Sequence, residues 1–258
     1  MLTLLAESKT MSANQNEVSE EYYNSNKPIL EDIADALMLK MSEMQPSEIA
    51  ASLAISGQLA VKARNLAYDF PYKQTGYPAL EGFTGEAFRS LDISTLSPQA
   101  LQRAERDLKF ISSVYGILDS SSVIKPYRNE FNKALRKDEK SPIQLFKPKV
   151  TVELAKYIKE NKVQDIINLL PADADKCIDW KILRAFTKVH KVVFQIMQPD
   201  GTLKTPIAKR LKELRGLMAR DILMNGISTF SELINFESDH FVFSPEHSKP
   251  LLPVFLAD

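Results

Sequence analysis

Short apolar runs alternate along this chain with amphipathic segments that have the spacing of helices. MLTLL at residues 1–5 and DIINLL at residues 165–170 are short, apolar and bounded by polar residues or proline, as buried strands are. Residues 206–225 repeat apolar side chains at helical spacing. No linker interrupts the alternation. The sequence therefore predicts a mixed α/β fold, with one domain over residues 1–258.

The segment KFISSVYGILDSSSVIKPYRNEF at residues 109–131 contains two apolar runs, 110–114 and 122–124, and a turn-rich DSSS between them. This pattern predicts two extended elements joined by a loop. Polar side chains follow the second run, among them Arg128 and Glu130. Sites are often built at the ends of strands, although a surface ion pair of small energetic effect is the alternative.

Composition excludes several classes of protein. The single Cys177 rules out an internal disulfide and a cysteine-rich metal site, and it favours a reducing, cytoplasmic setting. Only three histidines are present and they lie far apart, so we predict no metal site. The first apolar run is too short for a signal peptide or a membrane span, so we expect no membrane partner.

Charged residues are distributed unevenly along the chain, although its 33 basic residues balance 33 acidic ones. Residues 123–162 carry 11 basic and 5 acidic side chains, and residues 181–220 carry 10 and 2. If the fold gathers these blocks, they form a positive surface for an anion. The alternative is that they are solvated helix faces.

Other segments carry local predictions. Residues 45–68 are typical of two short helices that form a hairpin, which either offers backbone N–H groups to a phosphate or simply packs. The sequence further predicts a strand at 79–83, a loop at 136–149, one strand at 189–197 and an edge or terminal strand at 252–255.

The common catalytic signatures are absent, including the P-loop, G-x-G-x-x-G, H-E-x-x-H and G-x-S-x-G, so neither an enzyme class nor a cofactor is predicted. Arginine and lysine near predicted strand or helix ends suit phosphate or carboxylate, and tyrosines there either stack on a base or pack. The candidates for nucleic-acid or anion binding are Lys9, Tyr115, Tyr127, Arg128, Glu130, Lys212 and Arg215.

Five motifs in order carry a resemblance to a known family. They are MLTLLAESKT at 1–10, FTGEAFRSLD at 83–92, SSVYGIL at 112–118, KPYRNEF at 125–131 and RGLMARDILMNGI at 215–227. Through them the chain resembles the YaaA peroxide-stress proteins over residues 1–243.

The resemblance implies a single-domain mixed fold, called the cantaloupe fold, with a positively charged cleft and a helix-hairpin-helix element at 45–68. It implies protection against hydrogen peroxide by limiting free iron, and binding of duplex or branched DNA. The positions that match the family's cleft are Lys9, Gly85, Tyr115, Gly116, Pro126, Tyr127, Arg128, Glu130, Lys212, Arg215 and Gly216.

Several family positions are changed in this chain. The family's Ser-Pro-Ala before the lysine is Ala6-Glu7-Ser8, and its F-K-G-D motif has Thr84 for lysine and Glu86 for aspartate. Its W-G-D element is replaced by residues 147–149, Lys-Pro-Lys. Such changes predict that the cleft binds the family's ligand more weakly or binds a different ligand.

Three hypotheses follow. The first is a DNA-binding stress protein whose cations hold phosphates. The second is an enzyme or binder of a small phosphate- or carboxylate-bearing molecule, in which Glu130 or Glu86 acts as a general acid or base. The third is a relative whose site has lapsed and which keeps a structural or interaction role.

Overall fold

The computed structural model describes residues 1–12, 16–70 and 75–257. Its strands are β1 (Leu2–Ala6), β2 (Asn16–Glu17), β3 (Thr75–Pro78), β4 (Leu108–Ser112), β5 (Gly116–Asp119), β6 (Val123–Ile124), β7 (Asp165–Asn168), β8 (Lys188–Lys191), β9 (Val193–Met197), β10 (Leu203–Lys204), β11 (Glu237–Ser238), β12 (Phe241–Phe243) and β13 (Val254–Ala257).

The helices are α1 (Glu20–Ser25), α2 (Glu31–Glu43), α3 (Pro46–Leu53), α4 (Gly57–Asp69), α5 (Ala79–Gly82), α6 (Glu86–Leu91), α7 (Pro98–Asp107), α8 (Pro142–Glu160), α9 (Ala172–Asp175), α10 (Trp180–Leu183), α11 (Ala208–Asn225) and α12 (Phe230–Leu233). Two short 3₁₀ turns lie at Ile93–Thr95 and Pro245–His247. Among the residues described, no helix is both long and apolar enough to cross a bilayer.

The central sheet has the order β5-β4-β1-β7-β8. Strand β1 pairs in parallel with β4 on one side and β7 on the other, β7 pairs in parallel with β8, and the edge strand β5 is antiparallel. Residues 2–5 of β1 are all buried, which explains why this strand is a continuous apolar run and does not alternate. The mixed α/β class predicted from the sequence is confirmed.

Two smaller sheets complete the described part of the fold. One has the order β10-β9-β13-β12-β11, and the other has the order β2-β3-β6. In the first of them β13 pairs with β9 in parallel and with β12 in antiparallel fashion, so the terminal strand lies inside the sheet. The edge or terminal strand predicted at 252–255 exists at Val254–Ala257; it is terminal in sequence, as one alternative had it, and it is not at an edge.

The central sheet separates two hydrophobic clusters. Leu4 and Phe146 belong to one, and Leu5 and Phe110 belong to the other. Neighbouring side chains of a strand point to opposite faces, so both faces of β1 are covered. Helix α8 contributes Val150 and Leu154 to the first cluster.

Several local predictions are confirmed. DIINLL contains β7, and the buried amide of Asn168 has partners, because it donates to Asp175 (2.6 Å) and accepts from the N–H of Leu170 (2.9 Å). Helix α11 ends at Gly226, which has φ +65° and so takes the left-handed cap position that glycine favours.

Other local predictions are wrong in part or in full. The extended elements predicted at 110–114 and 122–124 exist as β4 (Leu108–Ser112) and β6 (Val123–Ile124), but the connection between them contains β5, which the sequence did not predict. Residues 79–82 of the strand predicted at 79–83 form helix α5, residues 142–149 begin helix α8, and residues 189–197 divide between β8 and β9 in different sheets.

The predicted helical hairpin at 45–68 corresponds to α3 and α4. Ala54 turns the chain with φ +54°, and Ser56 caps α4 by accepting from the N–H of Leu59 (3.4 Å). Buried Ala60 and Ala63 fix the packing of α4. These contacts explain the packing of the pair, and a phosphate-binding role for it stays a prediction.

Candidate functional site

A cleft of about 380 Å³ lies at the carboxyl edge of the central sheet. Strands β1 and β7 end there, and the residues that follow them, 7–10 and 169–173, contribute to its lining. The chain continues from β1 to β4 on one side and later to β7 on the other, so β1 marks the point where the strand order reverses. Ligands of open α/β sheets commonly bind at such a point.

Helices α6 and α11 form the opposite wall, and two glycines allow close approaches there, Gly216 between α11 and α6 and Gly85 between the start of α6 and Ser8. A Cβ atom on Gly216 would lie 1.9 Å from the carbonyl oxygen of Ala87, and one on Gly85 would lie 2.2 Å from Oγ of Ser8. Because no side chain fits at Gly216, α11 packs directly on α6. This packing brings Lys212 and Arg215 of α11 to the cleft.

Arg215 is a half-buried cation that makes no direct ion pair with any described residue. Neither it nor the exposed Lys212 makes an ion pair or hydrogen bond with any residue in the described ranges. Burial lowers the pKa of the Arg215 guanidinium, and the carboxylate of Asp173 raises it less. A partly desolvated charge of this kind is favourable only with an anionic partner.

Glu130 joins two further predicted cations. Its Oε2 atom forms an ion pair with Nζ of Lys9, and its Oε1 atom accepts from Arg128 at 3.3 Å. Glu130 and Arg128 have exposed side-chain fractions of 15% and 19%, whereas that of Lys9 is 45%. Buried Nε of Arg128 has no hydrogen-bond partner among the residues described. The alternative of a merely superficial Arg–Glu pair is therefore wrong.

Glu7 is a half-buried carboxylate in the cleft lining, directly after β1. It accepts from the N–H of Ser113 (2.8 Å), from Oγ of Ser113 (2.6 Å) and from the hydroxyl of Tyr127. Burial raises the pKa of Glu7, and the hydrogen bonds from Ser113 and Tyr127 lower it less. The sequence comparison marked Glu7 only as a change; a charged residue directly after a buried strand was the available signal.

The two predicted tyrosines are buried and pack against each other. The ring centroids of Tyr115 and Tyr127 are 5.6 Å apart, and the two residues are 1% and 4% exposed. The Tyr115 hydroxyl accepts from the N–H of Lys125 at 3.1 Å. Packing, and not an open face for a base, is the arrangement that the structure has. Tyr127 contributes to the site through its hydrogen bond to Glu7.

The charges that line the cleft are nearly balanced. The cations are Lys9, Arg89, Lys212 and Arg215, and the carboxylates are Glu7, Glu86 and Asp173. Glu86 is paired with Arg89 at 2.8 Å. Of the two basic blocks in the sequence, residues 181–220 supply the lining cations of α11, and residues 123–162 contribute Arg128 through its pair with Glu130.

Three of the seven predicted residues, Lys9, Lys212 and Arg215, line the cleft. Glu130 and Arg128 are connected to it through the ion pair of Glu130 with Lys9, and the two tyrosines are buried behind it. In the described part of the chain, no group of three or more histidine, cysteine or acidic side chains could hold a metal ion. The arrangement can bind an anion through its unpaired cations, and it can accept hydrogen bonds through Glu7.

Comparison with known proteins agrees with the motifs. The family model described as "Peroxide stress protein YaaA" matches residues 1–247. Similar relatives, each named UPF0246 protein, come from Shewanella pealeana (29% identity over 266 residues), Shewanella denitrificans (29% over 262) and Pseudoalteromonas translucida (28% over 269). Each alignment covers 100% of this chain and 99% of the relative. The chain therefore belongs to the YaaA peroxide-stress protein family.

Proposed function

We propose that this chain acts in the peroxide-stress response by binding the phosphate groups of DNA in the cleft, in the cytoplasm, and that its action limits free iron. The observation that carries the proposal is Arg215, a half-buried guanidinium that forms no direct ion pair or hydrogen bond with the described residues. Family membership supports the role in the stress response. DNA as the ligand and the limitation of free iron are what the family resemblance implies.

The physical argument concerns the free energy of the unpaired cation. Removing a guanidinium from water costs free energy that an ion pair would return, and Arg215 lacks that pair. Phosphate oxygens accept two parallel N–H bonds from arginine, so a phosphate fits this position. Lys212 stands one turn earlier on α11 and adds a second charge. Lys9 and Arg128 are paired with Glu130, so they would bind phosphate only after giving up their ion pairs with this carboxylate.

DNA binding through phosphates makes a specific prediction about salt. Each phosphate contact releases condensed counterions, so affinity falls steeply as salt rises and depends little on base sequence. The hairpin of α3 and α4 would supply additional backbone contacts, as the resemblance implies.

A mobility-shift titration at low salt tests this proposal with duplex and four-way-junction DNA. We expect the double variant Lys212→Gln/Arg215→Gln to bind about 10- to 100-fold more weakly, since a hydrogen bond to a charged group contributes about 1.5–3 kcal/mol. Lys209→Gln is the matched control, because Lys209 is a 65% exposed lysine on the same helix outside the cleft. Unchanged binding by the double variant, or no binding by the native protein, would contradict the proposal.

The stress role has its own test. A strain that lacks the gene is challenged with hydrogen peroxide while it expresses the native chain or Arg215→Gln, and chelatable iron is measured in the same cultures. We expect the native chain, and not Arg215→Gln at equal abundance, to restore survival and lower the iron. Equal rescue by both chains would contradict the proposal that the stress role depends on Arg215 in the cleft.

A second candidate function is binding of a small anionic molecule, with or without turnover. The cleft volume of about 380 Å³ lies within the usual range of small-molecule sites. Arg128 and Glu130 are largely buried and linked to Lys9, which is the arrangement that this hypothesis requires. A lapsed site predicts instead that neither DNA nor a small anion binds.

A further inference from the structure

The cleft contains a carboxylate as well as cations, and the surrounding groups hold it as a hydrogen-bond acceptor. Glu7 accepts from the backbone and hydroxyl of Ser113 and from Tyr127. Oγ of Ser112 accepts from the N–H groups of Val114 (3.1 Å) and Tyr115 (3.0 Å), which leaves its own hydrogen for Tyr127 at 2.7 Å. Every group around Glu7 therefore donates towards it.

Neither Glu7 nor Arg215 forms a direct ion pair with the residues described. Both line the same cleft. The cleft thus holds two half-buried charges of opposite sign, each with hydrogen-bonding capacity left, since a carboxylate has about four acceptor positions and three are occupied. Asp173, a second lining carboxylate, adds to the negative side.

A ligand that is only anionic satisfies one half of this arrangement. It pairs with Arg215 and Lys212, but it lies in the same small cleft as the Glu7 carboxylate, and like charges in a partly desolvated site repel. A molecule with an anion at one end and a donor at the other satisfies both halves. Electrostatic complementarity of this kind decides which ligands are excluded.

We propose that the cleft binds a small amphoteric molecule that carries a phosphate at one end and an ammonium or other N–H donor at the other. Arg215 and Lys212 bind the phosphate, and Glu7 accepts a hydrogen bond from the donor. Glu7 is thus the residue that determines specificity. This inference rests on the second candidate function, because it specifies the class of small anion.

Two matched pairs of probes test the inference by calorimetric titration of the full chain. Phosphoethanolamine is compared with n-propyl phosphate, and 3-aminopropyl phosphate with n-butyl phosphate, so that each pair differs in ammonium against methyl. We expect the amine of at least one pair to bind about tenfold more tightly than its alkyl partner, as one additional charge-assisted hydrogen bond implies. Glu7→Gln should remove that preference and keep the binding of the alkyl phosphate.

The outcomes separate this inference from the function on which it rests. Equal binding within both pairs, or a preference that survives in Glu7→Gln, would overturn the amphoteric ligand and leave anion binding intact. Failure of all four probes to bind the native chain would overturn both. Arg215→Gln should weaken both members of each pair, and circular dichroism checks that the variants remain folded.

Discussion

Glu130 forms ion pairs with the exposed Lys9 and with the largely buried Arg128. The pair with Arg128 should contribute more to stability, because it is less screened by water. Replacing Glu130 by glutamine leaves one carbonyl oxygen for the two cations, and the positive charge of the largely buried Arg128 is no longer neutralised. We expect Glu130→Gln to lower the free energy of unfolding by about 1–3 kcal/mol, the cost of a buried polar group that loses its partner. Urea denaturation measures this change.

Glu139 provides the control for that prediction. It pairs with Lys40 at 2.7 Å, but the side chains of Lys40 and Glu139 are 37% and 30% exposed. Exposed ion pairs contribute about 0–1 kcal/mol, so Glu139→Gln should have a smaller effect than Glu130→Gln. Equal losses from both variants would show that the burial of the Glu130 pair has no energetic consequence.

Burial raises the pKa of Glu7, which makes its contribution to stability depend on pH. The folded state binds the proton more tightly than the unfolded chain does, so the contribution is present below the unfolded pKa and is lost as pH rises through the folded pKa. We therefore expect the stability of the native chain relative to Glu7→Gln to fall as pH rises from about 4.5 to about 8. Urea unfolding across this range measures it, and a difference that is constant with pH would contradict the argument.

Cys177 is fully buried, and burial raises the pKa of its thiol to about 12. The thiolate is the reactive form, so the folded protein should resist alkylation and oxidation at this residue. We expect hydrogen peroxide to leave Cys177 reduced in the native state, with rapid modification by iodoacetamide only after denaturation. A sulfenic acid found by mass spectrometry in the folded protein would contradict this expectation and give the chain a thiol-based peroxide chemistry.

At the scale of elements, the contact between α6 and α11 shapes the cleft wall. A Cβ atom on Gly216 would lie 1.9 Å from the carbonyl oxygen of Ala87, so the helices would have to separate. We expect Gly216→Ala to lower the free energy of unfolding by about 1–3 kcal/mol or more through overpacking, as measured in urea. Because α11 carries Lys212 and Arg215, the variant should also bind anions more weakly.

Gly57→Ala is the matched control for the overpacking prediction. Gly57 is the first residue of α4, and a Cβ atom built on it meets no described atom within 4 Å. Alanine there should be neutral or stabilising by up to about 1 kcal/mol, since it reduces the freedom of the unfolded chain. Comparable destabilisation by both variants would show that the loss of glycine itself, and not the helix contact, is responsible.

The elements that the sequence predicted are those whose local signals and tertiary packing agree. Helix α11 has apolar residues at helical spacing and Gly226 at its end, and the structure has both. Helix α8 was missed at its beginning because Pro148 and a high charge are typical of a loop. The structure keeps the helix through Pro148 because Phe146 and Val150 on either side are buried in the core.

The strand errors have a different cause. The turn between β4 and β5 lacks the usual glycine–asparagine signal, and it is held by Ser112, whose Oγ accepts from the N–H groups of two following residues. The run at 189–197 is rich in β-branched and apolar residues and has no turn signal within it, so nothing in its pattern shows that β8 and β9 join different sheets. Strand pairing is decided by distant partners, which local patterns do not encode.

At the scale of the whole molecule, the site is assembled from parts far apart in sequence. Lys9 follows β1, Glu130 lies 121 residues later, and Arg215 belongs to α11. The sequence predicted these residues because each stands near the end of an element and because the family resemblance supplied the set. It did not predict that Glu7 and Asp173 would line the same cleft, since that follows from the parallel pairing of β1 with β7.

The central claim is that Arg215 is an unpaired cation that receives an anion in the cleft, and its side-chain N–H reports this directly. Protein with ¹⁵N-labelled arginine is titrated with inorganic phosphate while the Nε–H resonances are followed, with Arg215 assigned from Arg215→Lys. We predict a saturable shift of the Arg215 resonance, with little change at Arg106, which is 70% exposed and paired with Asp107. An Arg215 resonance that moves no more than that of Arg106 would contradict the claim.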